Sequence, residues 1–326
     1  MRVLSAHKTI FILIGLVFML PSHSPAEQKD SFKLFSGEPR LFIVQGYSTS
    51  FHWPYLLKQK LDRHFNSKHN IEIKRATRGG TPIAKWVDTK TGERKKPWIN
   101  IIQPTLASKG DRPAVILAQQ SLQWVFGEQN KGLGERNQGI RSADDTERIT
   151  KGAQAIRTYI QNLFEDGADH IFIAMHIYKK PLEPGIGNER LALAQYLKDP
   201  APNLYEGPDV WVPTSKLFPK AFDTDGVHPG SIGTEVMAQL WFETLLKHDG
   251  LDIPKWSREQ MEAAIAGEPM SRLVMQYKGL LPGSLKNNRR WKSLVEQFDT
   301  DKDGKLSDSE FAKLEESEKQ KIMNHQ

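Results

Sequence analysis

Leu41-Phe42-Ile43-Val44-Gln45-Gly46-Tyr47-Ser48 is the stretch from which the fold can be read. Four apolar residues in a row, stopped soon after by a glycine, suit a strand buried on both faces of a parallel sheet. Working outward, Pro54 to Phe65 reads as a helix with Leu56, Leu57 and Leu61 on one face. Ile71-Glu72-Ile73 begins a second strand, which stops at Arg78-Gly79-Gly80-Thr81. Val115-Ile116-Leu117-Ala118 is a third and Ile171-Phe172-Ile173-Ala174-Met175 a fourth. Between those two, Ile149, Ala153, Ile156, Ile160, Leu163 and Phe164 recur at helical spacing, which predicts a helix over Thr146 to Glu165. Val210-Trp211-Val212 is expected as a short fifth strand, and Gly233 to Leu246 as an amphipathic closing helix. Strands alternating with helices predict an α/β domain, a mostly parallel sheet in a three-layer sandwich. Asp88 to Arg112 and Gly127 to Asp145 are polar and turn-rich, and are expected as functional loops or disordered segments.

Composition narrows the setting. The chain has 326 residues, 38% of them apolar, with eight Trp, enough for a substantial core. At the N-terminus, Arg2 and Lys8 precede and flank an apolar run from Ile10 to Leu20, followed by Ser24-Pro25-Ala26. That is the pattern of a cleavable leader over residues 1–26, since the run is well short of the ~20 residues a spanning helix needs. The expected location is secreted or periplasmic, with no stable membrane insertion. There is no cysteine, so disulfides, thiol nucleophiles and thiolate metal sites are excluded. Loss of Arg2 and Lys8 with the leader lowers the formal charge from +6 to +4. Lys and Arg are scattered among acids, with no basic stripe or motif for nucleic acid.

Chemistry-bearing residues fall just after the strands. Gly46-Tyr47-Ser48 follows the first, Gly79-Gly80-Thr81 the second, Gln119-Gln120-Ser121-Leu122-Gln123 the third, and Asp225-Gly226-Val227-His228-Pro229 the last. In an open parallel sheet these positions share the carboxyl edge, where ligands bind. Serine is a weak nucleophile until a base takes its proton, a role for His228 on Ser48. The imidazolium then formed needs a fixed anion, a role for Asp225. Backbone N–H groups of Ser48 and Gly79, with one glutamine amide, can stabilise the developing oxyanion. His176, after the fourth strand, is a rival base without an acid beside it in sequence.

These blocks resemble the SGNH (GDSL-type) hydrolases over roughly Leu41 to Leu246, with Gly-Tyr-Ser in place of the usual Gly-Asp-Ser. Ala76-Thr77-Arg78-Gly79-Gly80-Thr81 is similar to the second block, whose glycine is an oxyanion donor, and Gly79 matches it. Asp225-Gly226-Val227-His228-Pro229-Gly230 is similar to the last block. The third block departs: counted from Pro113, Ser121 stands at the family's glycine and Gln123 at its oxyanion asparagine, with Gln119 and Gln120 as alternatives. The resemblance implies a flavodoxin-like fold and a serine esterase hydrolysing an acyl ester. The Gly-Gly-Thr block, similar to that of some carbohydrate acetylesterases, points to acetyl groups on a polysaccharide or glycan. Exposed faces of Trp53, Trp86, Trp98 or Trp124 would support a sugar substrate. The altered third block favours the alternative, a catalytically silent carbohydrate- or calcium-dependent binding module of the same fold.

The last region, residues 251–326, is charged and strand-free, and Ser257-Arg258-Glu259-Gln260 has the form of a capping box opening it. Within it, Asp299-Thr300-Asp301-Lys302-Asp303-Gly304-Lys305-Leu306-Ser307-Asp308-Ser309-Glu310 resembles an EF-hand loop. Carboxylates fall at positions one, three, five and twelve, the turn glycine at six, and the Lys305 carbonyl at seven. The resemblance implies a structural Ca2+ site in an appendage to a hydrolase domain at 27–250. Because every catalytic candidate precedes Leu246, metal removal is expected to leave hydrolysis intact.

Overall fold

A computed structural model describes residues 32–127, 139–180 and 185–325; the leader reading at residues 1–26 and most of Gly127 to Asp145 lie outside them. From Leu34 onward the chain gathers into one compact unit. Its sheet contains β1 (Leu41–Gly46), β2 (Glu72–Thr77), β3 (Ala114–Gln119), β4 (His170–Ala174) and β5 (Leu204–Glu206), all parallel and in the order 2-1-3-4-5. This is the flavodoxin-like order, with its switch point between β1 and β3. Every residue of β1, β3 and β4 is buried, which is why these strands read as unbroken apolar runs.

The helices are α1 (Trp53–His64), α2 (Ile83–Trp86), α3 (Gln103–Ala107), α4 (Thr146–Glu165), α5 (Glu189–Tyr196), α6 (Trp211–Lys216), α7 (Ser231–His248), α8 (Lys255–Ala266), α9 (Arg272–Tyr277), α10 (Arg289–Phe298) and α11 (Asp308–Met323). One face of the sheet, with Leu41, Ile43, Ile116, Ile171 and Ile173, joins the Ile149, Ile156, Ile160 and Leu163 stripe of α4 in a single core cluster. The other face meets α7 where Phe172 lies edge-on to His248, and α7 packs on α1 through Trp53 and Trp241, stacked 5.2 Å apart. The sandwich is therefore three layers, helix–sheet–helix.

Three expectations need correction. Trp211 opens a helix and not a strand: the Asp209 carboxylate accepts from the N–H groups of Trp211 and Val212, and Pro213 could not donate to a ladder. The fifth strand is Leu204–Glu206 instead. Ser257 does not cap its helix; α8 starts at Lys255, and the buried Ser257 hydroxyl donates to Gln239 Oε1 on α7. Asp88 to Arg112 is not an irregular loop. It holds a turn of π-helix, Trp98–Ile102, and α3, because Trp98, Ile102 and Leu106 repeat every fourth residue and bury together.

Candidate active site

β1 ends at Gly46, and the chain enters a single 3₁₀ turn, Ser48–Ser50, closed by Ser50 N–H donating to the Tyr47 carbonyl at 2.8 Å. Tyr47 is buried and its ring lies 4.9 Å from that of His176, which fixes the turn from below. Ser48 is left half-buried at the carboxyl edge of the sheet. This is the switch-point edge, where the chains leaving β1 and β3 diverge and open a crevice.

The partner loop runs from α6 into α7. Gly226 sits at φ +64°, a conformation costly for any residue with a Cβ, and its N–H donates to the Asp223 carbonyl at 2.9 Å. Asp225 Oδ1 accepts from the backbone N–H groups of Val227 and His228, each at 2.9 Å. Asp225 Oδ2 lies 2.6 Å from His228 Nδ1, and His228 Nε2 lies 2.6 Å from Ser48 Oγ. Burial pushes the Asp225 carboxyl up, but the bonds from the His228 ring and the two backbone N–H groups more than reverse this, leaving it below the usual carboxylate range. An ionised Asp225 holds the proton on Nδ1, so Nε2 carries the lone pair that faces the serine hydroxyl.

Gly79 stands opposite. A Cβ built on it would lie 3.8 Å from Ser48 Cβ and 3.9 Å from the Phe51 ring, so its main chain is beside Ser48. Neither its N–H nor that of Ser48 is spent on another described residue. The Thr81 hydroxyl donates to the Gly79 carbonyl at 3.2 Å and steadies the turn.

The glutamines part company. Gln120 is buried and donates to Gln45 Oε1, which Tyr159 also reaches. Gln119 is buried, its Nε2 3.5 Å from Thr49 Oγ1 in the Ser48–Ser50 turn. Gln123 is half-buried; its backbone N–H donates to Ser121 Oγ, and its side chain bonds no other described residue.

His176 is a core residue and not a base: it is 2% exposed, its Nδ1 faces the Ile177 carbonyl, and burial lowers its pKa to about 3. His52, near the site, is likewise lowered to about 4, by burial first and then by Arg272 and Arg75. Trp53, Trp86 and Trp98 are fully buried core, which removes them as sugar platforms. Trp124 alone of the four is half-buried, with Lys85 Nζ 3.9 Å from its ring centroid.

Sequence reasoning missed Asp223, Arg272 and Arg290. Asp223 is 1% exposed, and its carboxylate accepts from Arg272 Nε at 2.7 Å. Arg272 also places a nitrogen 3.8 Å from Asp225 Oδ2. Asp223 was visible as a second acid beside the Asp-x-x-His pattern; the two arginines carry no local signal.

At the C-terminal loop, ligand oxygens of Asp299, Asp301 and Asp303 lie within 4.8 Å of one another. Glu310 is 4% exposed, with one carboxylate oxygen taking the Thr300 N–H and the other the Ser307 N–H. Gly304 takes φ +82° at the sixth position. The three aspartates form an all-oxygen set of the kind that suits a hard cation such as Ca2+, and Glu310 lies outside that group.

No family model matches the chain, and neither does any curated protein. Among solved structures, it is similar to a family 3 carbohydrate esterase from Talaromyces cellulolyticus, at 11% identity over 65% of this chain and 100% of that one, TM-score 0.45. A member of the lipolytic G-D-S-L family from Veillonella parvula aligns at 14% identity over 63% and 97%, TM-score 0.39. A family two carbohydrate esterase from Clostridium thermocellum, solved with cellohexaose, aligns at 11% over 65% and 65%, TM-score 0.38.

Proposed function

We propose that this chain is an exported serine esterase that removes acyl groups, acetyl in the first instance, from a carbohydrate. The observation that carries the reading is the unbroken relay Ser48 Oγ–His228 Nε2 and His228 Nδ1–Asp225 Oδ2, at 2.6 Å for each link. Ser48 attacks the ester carbonyl while His228 takes its proton; the carbonyl oxygen becomes an oxyanion held by the Ser48 and Gly79 N–H groups and the Gln123 amide. His228 returns the proton to the leaving alkoxide, giving the sugar alcohol and an acyl-Ser48. Water, deprotonated by the same histidine, then releases the acid. Gly79 stands between Ser48 and the Phe51 ring, its added Cβ within 3.9 Å of each, and this crowding suits a small acyl group. The sugar part rests on the Gly79-Gly80-Thr81 block, since three of the four tryptophans are core. Export rests on the leader reading of residues 1–26.

The proposal includes a structural Ca2+ held by Asp299, Asp301, Asp303, the Lys305 carbonyl and Glu310. When bound, the ion supplies charge neutralisation that ties α10 to α11, and it enters no step of the hydrolysis. Glu310 would exchange its hydrogen bonds to Thr300 and Ser307 for the metal.

The test is turnover of p-nitrophenyl acetate and of an acetylated xylo-oligosaccharide by wild type and Ser48→Ala. The expected result is hydrolysis that Ser48→Ala abolishes with the melting temperature little changed, as Ser48 is a half-buried turn residue. Equal turnover by both proteins removes the nucleophile assignment; no turnover by either leaves the silent binding module as the better reading.

A further inference from the structure

The loop that carries the acid and the base is not held by the hydrolase core alone. Residues 223–226 are contacted, one after another, by side chains from the last fifth of the chain. Asp223, almost wholly buried, faces Arg272 Nε at 2.7 Å and an Arg290 nitrogen at 3.8 Å. The Thr224 hydroxyl accepts from Arg290, whose guanidinium also pairs with the buried Glu318 of α11. The Thr224 carbonyl faces His325 Nε2, and the same imidazole lies under Gly226, where an added Cβ would come 3.4 Å from its ring. Ser231, at the start of α7, exchanges two bonds with the Met270 main chain: its N–H donates to the Met270 carbonyl at 3.0 Å, and its hydroxyl accepts from the Met270 N–H at 2.8 Å.

We propose that Arg272 is a positioning residue for the Asp225–His228 pair, and that α9, α10 and α11 act as an intramolecular brace on the catalytic loop. The inference rests on the esterase reading above. Its physical core is charge. Asp223 and Asp225 are two residues apart, and the Arg272 guanidinium lies between their carboxylates, in bond contact with the first and 3.8 Å from the second. With that cation present, Asp225 keeps one oxygen on two backbone N–H groups and offers the other to His228. Without it, a nearly solvent-free Asp223 loses its closest counter-charge, and like-charge repulsion pushes Asp225 out of line with the imidazole. A shift of about 1 Å in such a pair can cost up to ~10²-fold in rate.

The experiment compares Arg272→Gln and Arg272→Lys with wild type, each assayed well below its own melting temperature. Arg272→Gln is expected to lower kcat by ~10–100-fold with KM nearly unchanged, and Arg272→Lys to recover part of it, because a merely structural loss would scale with the unfolded fraction and ignore the charge. Unchanged kcat in folded Arg272→Gln overturns the proposal. If Arg272→Gln does not fold, adding Asp223→Asn removes the stranded charge; the double variant is expected to fold with kcat close to wild type because the repulsion on Asp225 is gone, and a folded double variant still slowed ~10-fold or more overturns the charge argument. The downfield NMR signal of the His228 Nδ1 proton, identified by its loss in Asp225→Asn, reads the geometry without turnover. Movement of that signal in Arg272→Gln supports the brace even if wild type hydrolyses nothing, whereas a fixed signal with normal turnover sinks the brace and spares the esterase.

Discussion

Three glutamines lie within five residues at the end of β3, Gln119 to Gln123, and their side chains go to different places. Gln120 and Gln119 are buried in polar contacts, to Gln45 and to Thr49, while Gln123 is half-buried and its side chain bonds no other described residue. A buried amide that loses its partner costs stability of about 1–3 kcal/mol, whereas a free amide near the oxyanion costs rate. Gln120→Ala and Gln119→Ala are therefore expected to lower the melting temperature with kcat largely kept. Gln123→Ala is expected to lower kcat by ~10²–10³-fold at unchanged melting temperature and KM. Thermal melts run beside steady-state kinetics decide it; a kcat loss confined to Gln119→Ala moves the donor role to that residue. The same scale separates the histidines. His228 has a carboxylate on one ring nitrogen and a hydroxyl on the other, while His176 has a carbonyl and an aromatic neighbour in the core.

At the scale of elements, the closing helix depends on one close approach. A Cβ on Gly233, in the first turn of α7, would fall 2.0 Å from the Ala221 carbonyl oxygen, so only glycine lets the helix sit against the loop that carries His228. Gly233→Ala must push the two apart, with an expected destabilisation of ~1–3 kcal/mol by overpacking and a fall in kcat as His228 moves. Calorimetry with kinetics below the transition checks it; a neutral variant would mean that the loop has slack. That glycine, like Gly46, Gly79 and Gly226, was legible in the sequence because backbone geometry at a strand or helix end is local. So were β1, β3, β4, α4 and α7, whose apolar spacing is set by burial on the sheet. What misled was also local. Val210-Trp211-Val212 has strand composition, but Asp209 one residue earlier caps a helix. Ser257 looks like a cap because its tertiary partner, Gln239, is 18 positions away. Three of the four tryptophans after the sheet-edge motifs point inward, and no one-dimensional pattern tells a ring's direction.

At the scale of the whole molecule, the distance in sequence between the proposed calcium loop and the proposed catalytic residues disappears. Read along the chain, residues 299–310 stand more than 50 positions beyond the last catalytic candidate, and metal removal should leave hydrolysis untouched. In three dimensions α10 and α11 flank that loop, α10 carries Arg290, α11 carries Glu318, and His325 follows α11. Each of these, directly or through Arg290, bears on Thr224 beside Asp225, the proposed partner of His228. Asp299, Asp301 and Asp303 crowd their charges together: the backbone N–H of Asp303 lowers the Asp301 carboxyl, but desolvation first, and then the nearby Asp303, Asp299 and Glu310, raise it above its usual range. A cation relieves that repulsion and favours the folded pair of helices by mass action, ~2.7 kcal/mol at a hundredfold excess over Kd. The expected outcome of chelation is therefore double: proteolysis begins in the region after Ser257, and kcat falls with it while KM holds. Limited digestion and kinetics, each with Ca2+ and with chelator, measure the two together. Protection that is indifferent to Ca2+ removes the metal site, and lost protection with full activity would show that the catalytic loop keeps its geometry without the helices that lean on it.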